Sequence, residues 1–212
     1  MDIHDQSMYW DRVASWKEFS LPVDVIQLSK YISHDAKIVD YGCGYGRVTK
    51  QLLQAGYTHV AGYDTSQKMV ERGAREKLPL CYIPTPDALP VEDGTVDCVM
   101  IVALLTCIPD FTDQKNLIAL LRKKLKPGGF LYMVDFPIQT DSQRVSRYDS
   151  TYEGTPEYGI FSLPEGVTLR HHTREWLQKL LAEFICVEEN TVSVKSMNRN
   201  PALALRLILK KA

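Results

Sequence analysis

Short apolar runs alternate with helix-period segments along most of this chain, and that alternation sets the first expectation. Strand-like runs fall at Lys37 to Tyr41, Thr58 to Tyr63, Leu80 to Ile83, Asp97 to Ala103 and Phe130 to Asp135, rich in the Val, Ile and Tyr that suit buried strands. A helix is predicted from Arg47 to Ala55, where Val48, Leu52 and Ala55 share a face and Gly56 stands as terminator. A second begins near Ser66, a good N-cap, with Met69 and Val70 on its inner face. A third starts about Thr112 and keeps Leu117, Ile118, Leu121 and Leu125 in register until Lys126-Pro127-Gly128-Gly129 stops it. Thr173 caps a fourth, whose Trp176, Leu177, Leu180, Leu181 and Phe184 form one apolar stripe. Strands alternating with helices predict a parallel sheet. Two β-rich runs follow, Ile185 to Lys195 and Ala202 to Lys210, separated only by Ser196 to Pro201, too short for a parallel crossover. They are expected to pair as an antiparallel hairpin. The fold class is therefore α/β: a seven-stranded, mostly parallel sheet with helices on both faces and a C-terminal antiparallel hairpin.

With 212 residues, 45% of them apolar, the chain can bury one sizeable core, so 1–212 is read as a single domain. Lys plus Arg (25) nearly balance Asp plus Glu (26), so no global field draws the chain to nucleic acid or an anionic membrane. The N-terminal stretch MDIHDQSMYWDRVASW is polar and lacks the basic and apolar regions of an export signal, and no run approaches the length of a membrane span, so export and membrane insertion are not expected. A cytoplasmic location is expected. The five cysteines, Cys43, Cys81, Cys98, Cys107 and Cys186, form no CxxC pair, so neither a disulfide framework nor a zinc site is expected; they read as small buried hydrophobes. The oligomeric state is not legible.

The sharpest local feature is Val39-Asp40-Tyr41-Gly42-Cys43-Gly44-Tyr45-Gly46-Arg47, a strand running through three alternating glycines into a helix. Such a loop lets backbone approach a ligand closely and turns free helix N–H groups toward it. In the dinucleotide fingerprint the third glycine falls where Arg47 stands, which disfavours a nicotinamide or flavin dinucleotide. Asp64, 18 residues after Gly46, ends the second strand and has two oxygens for the hydroxyls of a ribose; Thr65 and Ser66 are left to cap the next helix.

Taken in order, Asp40-x-Gly42-x-Gly44-x-Gly46, Asp64, Asp87-Ala88-Leu89-Pro90 before Val96-Asp97, and Leu125-Lys126-Pro127-Gly128-Gly129 resemble the motifs of class I S-adenosylmethionine-dependent methyltransferases. The resemblance covers about residues 37 to 135 and implies that the α/β sheet is Rossmann-like. It implies S-adenosylmethionine as cofactor, with S-adenosylhomocysteine as product. Gly42, Gly44 and Gly46 would hold its methionine part, Asp40 its amino group, Asp64 and Thr65 the ribose, and Asp87, Ala88 and Leu89 the adenine. The segment Ile101 to Asp110, which in many relatives faces the transferred methyl, is mostly apolar here and carries Thr106. It contains no Asn-Pro-Pro-Tyr or Asp-Pro-Pro-Tyr, which argues against methylation of DNA bases or glutamine.

Two segments lie outside these motifs, residues 1–30 and 136–170, and both are candidate substrate lids, because ligands of open α/β sheets sit beyond the carboxyl ends of the strands. Tyr9, Trp10, Thr106 and Tyr148 are the expected substrate contacts. His171, His172 and Tyr9 are the candidate catalytic groups, and Arg144, Arg147 and Arg170 are available to an acidic substrate. No metal is expected. The expected acceptor is a small molecule; the alternatives are a protein or RNA methyltransferase of the same fold, or a non-catalytic S-adenosylmethionine-binding regulator.

Overall fold

Alternate residues of each central strand go to opposite faces, and this divides every apolar run between two cores. A computed structural model describes residues 5–155 and 157–212. In chain order its elements are α1 (Ser7–Val13), α2 (Val25–Leu28), β1 (Lys37–Tyr41), α3 (Arg47–Gln54), β2 (His59–Asp64), α4 (Gln67–Ala74), β3 (Leu80–Tyr82), β4 (Val96–Val102) and α5 (Phe111–Lys124). They continue with β5 (Leu125–Asp135), α6 (Ser142–Val145), β6 (Ile160–Ser162), β7 (Thr168–Arg170), α7 (Arg174–Leu180), β8 (Phe184–Lys195) and β9 (Pro201–Lys211). Val39, Val99, Ile101, Leu131 and Met133 face one core with α5 and α7, whereas Ile38, Cys98, Met100, Tyr132 and Val134 face the other with α2 and α3. Burial on both faces accounts for continuous rather than alternating hydrophobicity, and each such side chain contributes roughly 1.5–3 kcal/mol.

The sheet has seven strands in the order β3-β2-β1-β4-β5-β9-β8. The first five are mutually parallel, and β9 runs antiparallel to both β5 and β8, as the short Ser196–Pro201 connection requires. The order reverses between β1 and β4, so a crevice opens beyond the carboxyl ends of these two strands. The fifth strand begins at Leu125, before the Phe130 expected from sequence: Leu125 already pairs with Val96, and the Lys126–Gly129 stretch forms a bulge before the ladder resumes at Cys98 and Phe130.

A third core lies over the crevice. Tyr9 and Val13 of α1, Met69 of α4, and Tyr148, Phe161, Val167 and Leu169 pack together, joining the two candidate lid segments to one another. The strands β6 and β7 form a separate two-stranded sheet within it. Residues 1–4 of the first segment and Pro156 of the second lie outside the described residues. The cysteines correct one expectation. Cys43 and Cys98 are buried, but Cys81 and Cys186 are exposed, because they sit on β3 and β8, the two edge strands of the sheet. Among the described residues no helix is long and apolar enough to cross a membrane, and no His, Cys, Asp and Glu cluster is set to hold a metal.

Candidate functional site

The glycine loop is built by strain that only glycine relieves. Gly42, Gly44 and Gly46 have φ of +72°, +55° and +81°. A Cβ on Gly42 would also stand 2.5 Å from Leu104 Cδ1, so bare backbone is what lets the loop after β1 lie against the turn after β4. The N–H groups of Gly42 and Cys43 donate to the Tyr63 carbonyl at 2.8 and 3.1 Å, and Gly46 occupies the N-cap of α3.

Two carboxylates fix this loop. Asp64 accepts from Gly44 N at 2.7 Å through Oδ2 and from Ser66 N at 2.8 Å through Oδ1, tying the loop to the start of α4. Burial raises its pKa against these bonds. Ser66 is the cap of α4, as expected, accepting from Met69 N, and its hydroxyl donates to Asp11 at 2.6 Å, which pins α1 above the site. Asp40 is 2% exposed and accepts from Thr49 N (2.9 Å) and Thr49 Oγ1 (2.7 Å) through one oxygen, Oδ2. Burial pushes it up to about 6, opposed by the Thr49 bonds and the nearby Arg47. Arg47 itself has a buried Nε with no partner among the described residues.

These groups line one end of a cavity of about 480 Å³, a volume that suits a small organic ligand. Its walls take residues from the glycine loop and Asp64, from the turn Val102–Ile108 after β4, and from Ile83, Pro84, Thr85 and Pro86 after β3. The roof takes Trp10, Phe19, Phe161, Leu163 and Leu169, and the hairpin turn between β8 and β9 contributes Met197, Asn198 and Asn200. Phe19 stacks on Tyr45 at 5.4 Å and meets Trp10 edge-on at 6.0 Å, joining the N-terminal segment to the glycine loop.

The structure sorts the residues expected from sequence. Asp40, Gly42, Gly44, Asp64, Thr65, Trp10, Thr106 and His171 line the cavity, and Gly46 lies just behind it as a helix cap. Thr106 has its hydroxyl committed to the Arg170 carbonyl at 2.7 Å and its N–H to Asp135 at 3.2 Å, so it is a wall and a brace. Asp87 and Ala88 are exposed and outside the lining, and Leu89 is buried in the sheet core; of this loop, Thr85 and Pro86 line the cavity instead. Asp87 is held by Thr85 Oγ1 at 2.6 Å.

Tyr9 is also displaced from its expected role. It is fully buried in the lid core, its hydroxyl is without a partner among the described residues, and burial pushes its pKa up to about 12. One residue along α1, Trp10 takes the cavity face instead. His172 is buried beside Asp135 at 3.6 Å and does not reach the cavity. Tyr148 stands behind His171, its hydroxyl 2.5 Å from His171 Nδ1 and accepting from Gln139 N at 3.1 Å. His171 lies against Phe136 (5.4 Å) and Phe161 (4.8 Å), and burial, with His172, Arg147 and Arg144 nearby, drives its pKa down to about 3. Sequence reasoning missed Phe19, the functional side of Arg47 and the Met197–Asn200 turn. Only Arg47, beside the glycines, carried a local signal.

A strand order of 3-2-1-4-5 closed by an antiparallel hairpin, with a glycine loop and an acidic residue at the switch point, is the arrangement the sequence motifs implied. The family model described as a methyltransferase domain matches residues 39–133. Over those residues the chain matches a methyltransferase domain, and its Rossmann-like fold is the one that solved S-adenosylmethionine-dependent methyltransferases adopt. Among individual relatives, it is 29% identical to human methyltransferase-like protein 27 over 147 residues, 68% of this chain and 57% of that one. It is 34% identical to trans-aconitate 2-methyltransferase of Deinococcus radiodurans over 97 residues, 45% of this chain and 36% of that one. A solved structure of a SAM-dependent methyltransferase from Methanosarcina mazei superposes with a TM-score of 0.81 at 24% identity, covering 90% of this chain and 99% of that one. The chain spans about half the length of the curated relatives it matches first.

Proposed function

We propose that this protein transfers the methyl group of S-adenosylmethionine to a small organic acceptor held beneath the lid formed by α1 and residues 136–170. The observation that carries this reading is the single cavity that runs from the glycine loop and Asp64 to the aromatic roof. Both oxygens of Asp64 keep a lone pair after binding Gly44 and Ser66, and these suit the two hydroxyls of a ribose. Asp40 has one oxygen free of Thr49 and a buried charge in need of a cation, which suits the amino group of the methionine part. The orphaned Nε of Arg47 suits its carboxylate. Ile83, Pro84, Thr85 and Pro86 offer an apolar shelf for the adenine.

The bound cofactor supplies an already activated sulfonium methyl, which moves by in-line displacement to a nucleophile about 3 Å away. The chain's part is to orient the acceptor and exclude water. Trp10, Phe19, Phe136 and Phe161 serve that end, and the two nucleophiles of the turn after β4 are held back: the Thr106 hydroxyl is bonded to the Arg170 carbonyl, and burial keeps the Cys107 thiol protonated. A small-molecule acceptor is supported by the enclosed roof, by the near-neutral net charge, and by the relative whose name specifies a methylated small organic acid. Five free cysteines, two of them exposed, suit a reducing compartment.

Isothermal titration with S-adenosylmethionine and S-adenosylhomocysteine, followed by transfer from labelled cofactor into extracts freed of macromolecules, tests the proposal. Saturable binding with label in low-mass product is the expected result. Absence of cofactor binding to folded protein overturns the reading, and binding without transfer replaces it with a regulatory one.

A further inference from the structure

Three arginines line the cavity; one sits at the cofactor end and one is already paired. Arg47 lies at the glycine loop beside Asp40. Arg144 is paired with Asp141 at 2.6 Å and also bonds Gln139 Oε1 and the Pro201 carbonyl. Arg147 is different. Its half-buried guanidinium lies 4.9 Å from the centre of the Phe161 ring, and among the described residues no carboxylate pairs with it.

A second donor stands on the same ring. His171 meets Phe161 edge-on at 4.8 Å, so Arg147 and His171 are both in contact with one aromatic side chain of the cavity roof. The protonation of His171 follows from its neighbour. The Tyr148 hydroxyl accepts from Gln139 N–H, and among the described residues the acceptor for its own proton is His171 Nδ1, 2.5 Å away. The imidazole is neutral, so the ring proton sits on Nε2, which bonds no described protein group. His171 therefore offers the cavity an N–H donor and has no free lone pair to act as a base.

A guanidinium that no carboxylate pairs among the described residues and a neutral N–H donor, with Phe136, Phe161, Leu163, Leu169 and Met197 on the same cavity lining and the polar turn residues Asn198 and Asn200 at its edge, define a complementary ligand. A carboxylate matches the planar fork of an arginine, and the wall around it wants an apolar body. A phosphate dianion would call for a second unpaired cation, and Arg144 is committed elsewhere. Resting on the methyl-transfer reading above, we infer that the acceptor is a small organic carboxylate with an apolar body, anchored by Arg147 and by His171 Nε2–H.

The test uses matched pairs, phenylacetate against phenylacetamide and hexanoate against hexanamide, titrated by ligand-observed NMR into the protein with and without S-adenosylhomocysteine. Each carboxylate is expected to bind about tenfold or more tightly than its amide, the difference one charge-assisted bond makes. Arg147→Gln should erase the preference and Arg147→Lys should keep part of it, with S-adenosylhomocysteine affinity unchanged in both. His171→Phe, which keeps the stacking, should lower carboxylate affinity several-fold. Equal binding of acids and amides, or a preference that survives Arg147→Gln, overturns the inference. Failure to bind S-adenosylhomocysteine overturns the methyl-transfer reading instead, and the titrations made without it still read the carboxylate preference.

Discussion

Asp40→Asn sets the stability of the empty fold against the affinity of the site. The Asp40 carboxyl lies near 3.8 in the unfolded chain and is pushed up to about 6 in the fold, chiefly by burial. A folded value above the unfolded one means that the group contributes stability while protonated, below about pH 4, and that this is lost as pH rises through about 6. Above that, the buried charge costs the unliganded protein on the order of 3 kcal/mol, at roughly 1.4 kcal/mol per unit. An asparagine oxygen can still accept from Thr49 N and Oγ1, so the two bonds that Oδ2 makes now have a replacement. The unliganded Asp40→Asn protein should therefore be more stable than its parent at about pH 7.5, by on the order of 1–3 kcal/mol, with the gap closing between about pH 6 and pH 4. Urea unfolding across that range measures it, and comparing two proteins that differ at one group cancels the other carboxylates. Calorimetry on the same pair should show S-adenosylmethionine binding more weakly to the variant, since an ammonium no longer meets a carboxylate. A variant less stable than its parent at neutral pH, or a gap that ignores pH, refutes the reasoning.

Asp64→Ala should weaken S-adenosylmethionine binding by about 2–4 kcal/mol, roughly 30- to 700-fold, and should lower the melting temperature as well, because Gly44 N and Ser66 N lose their acceptor. Lowered melting with unchanged affinity in calorimetry would make Asp64 a brace and not a ribose ligand. Gln114→Leu should destabilise the fold by about 2–4 kcal/mol in urea titrations followed by tryptophan fluorescence. The fully buried Gln114 amide donates to the carbonyls of Leu105 (3.0 Å) and Ile108 (2.7 Å) and accepts from Trp176 Nε1 (2.7 Å); leucine leaves the Ile108 carbonyl and the indole N–H unpaired, while the Leu105 carbonyl keeps Ile108 N–H (3.0 Å). A loss below about 1 kcal/mol would show that water or relaxation satisfies them.

The five parallel strands, four of the helices and the hairpin were legible because their hydrophobic runs answer to burial on both faces of one sheet. The glycine loop was legible for a related reason: its positive φ values admit few other residues. Tyr9 and Trp10 were not separable in advance, since α1 spans only about two turns and its apolar positions do not define one face. Asp87, Ala88 and Leu89 lie outside the cavity lining, and a motif carried over by resemblance says nothing of the path its loop takes. The strands β6 and β7, three residues each, give no periodicity to read. Arg147 was visible as a charge, but only the surroundings, an aromatic face and no counterion, separate it from any solvated arginine.

The reversed direction of β9 has a consequence for how such a protein diversifies. Because Asp135 at the end of β5 pairs with Leu205 near the start of β9, the turn between β8 and β9 emerges at the crevice end of the sheet and not at the far end. Lengthening, shortening or exchanging residues 196–200 reshapes one side of the chamber while leaving the glycine loop, its acidic clamps and the parallel ladder untouched. On the proposed methyl-transfer reading, selection, or an engineer grafting turns between relatives, thus has a handle on acceptor choice that is physically separate from the part of the chain assigned to the methyl donor.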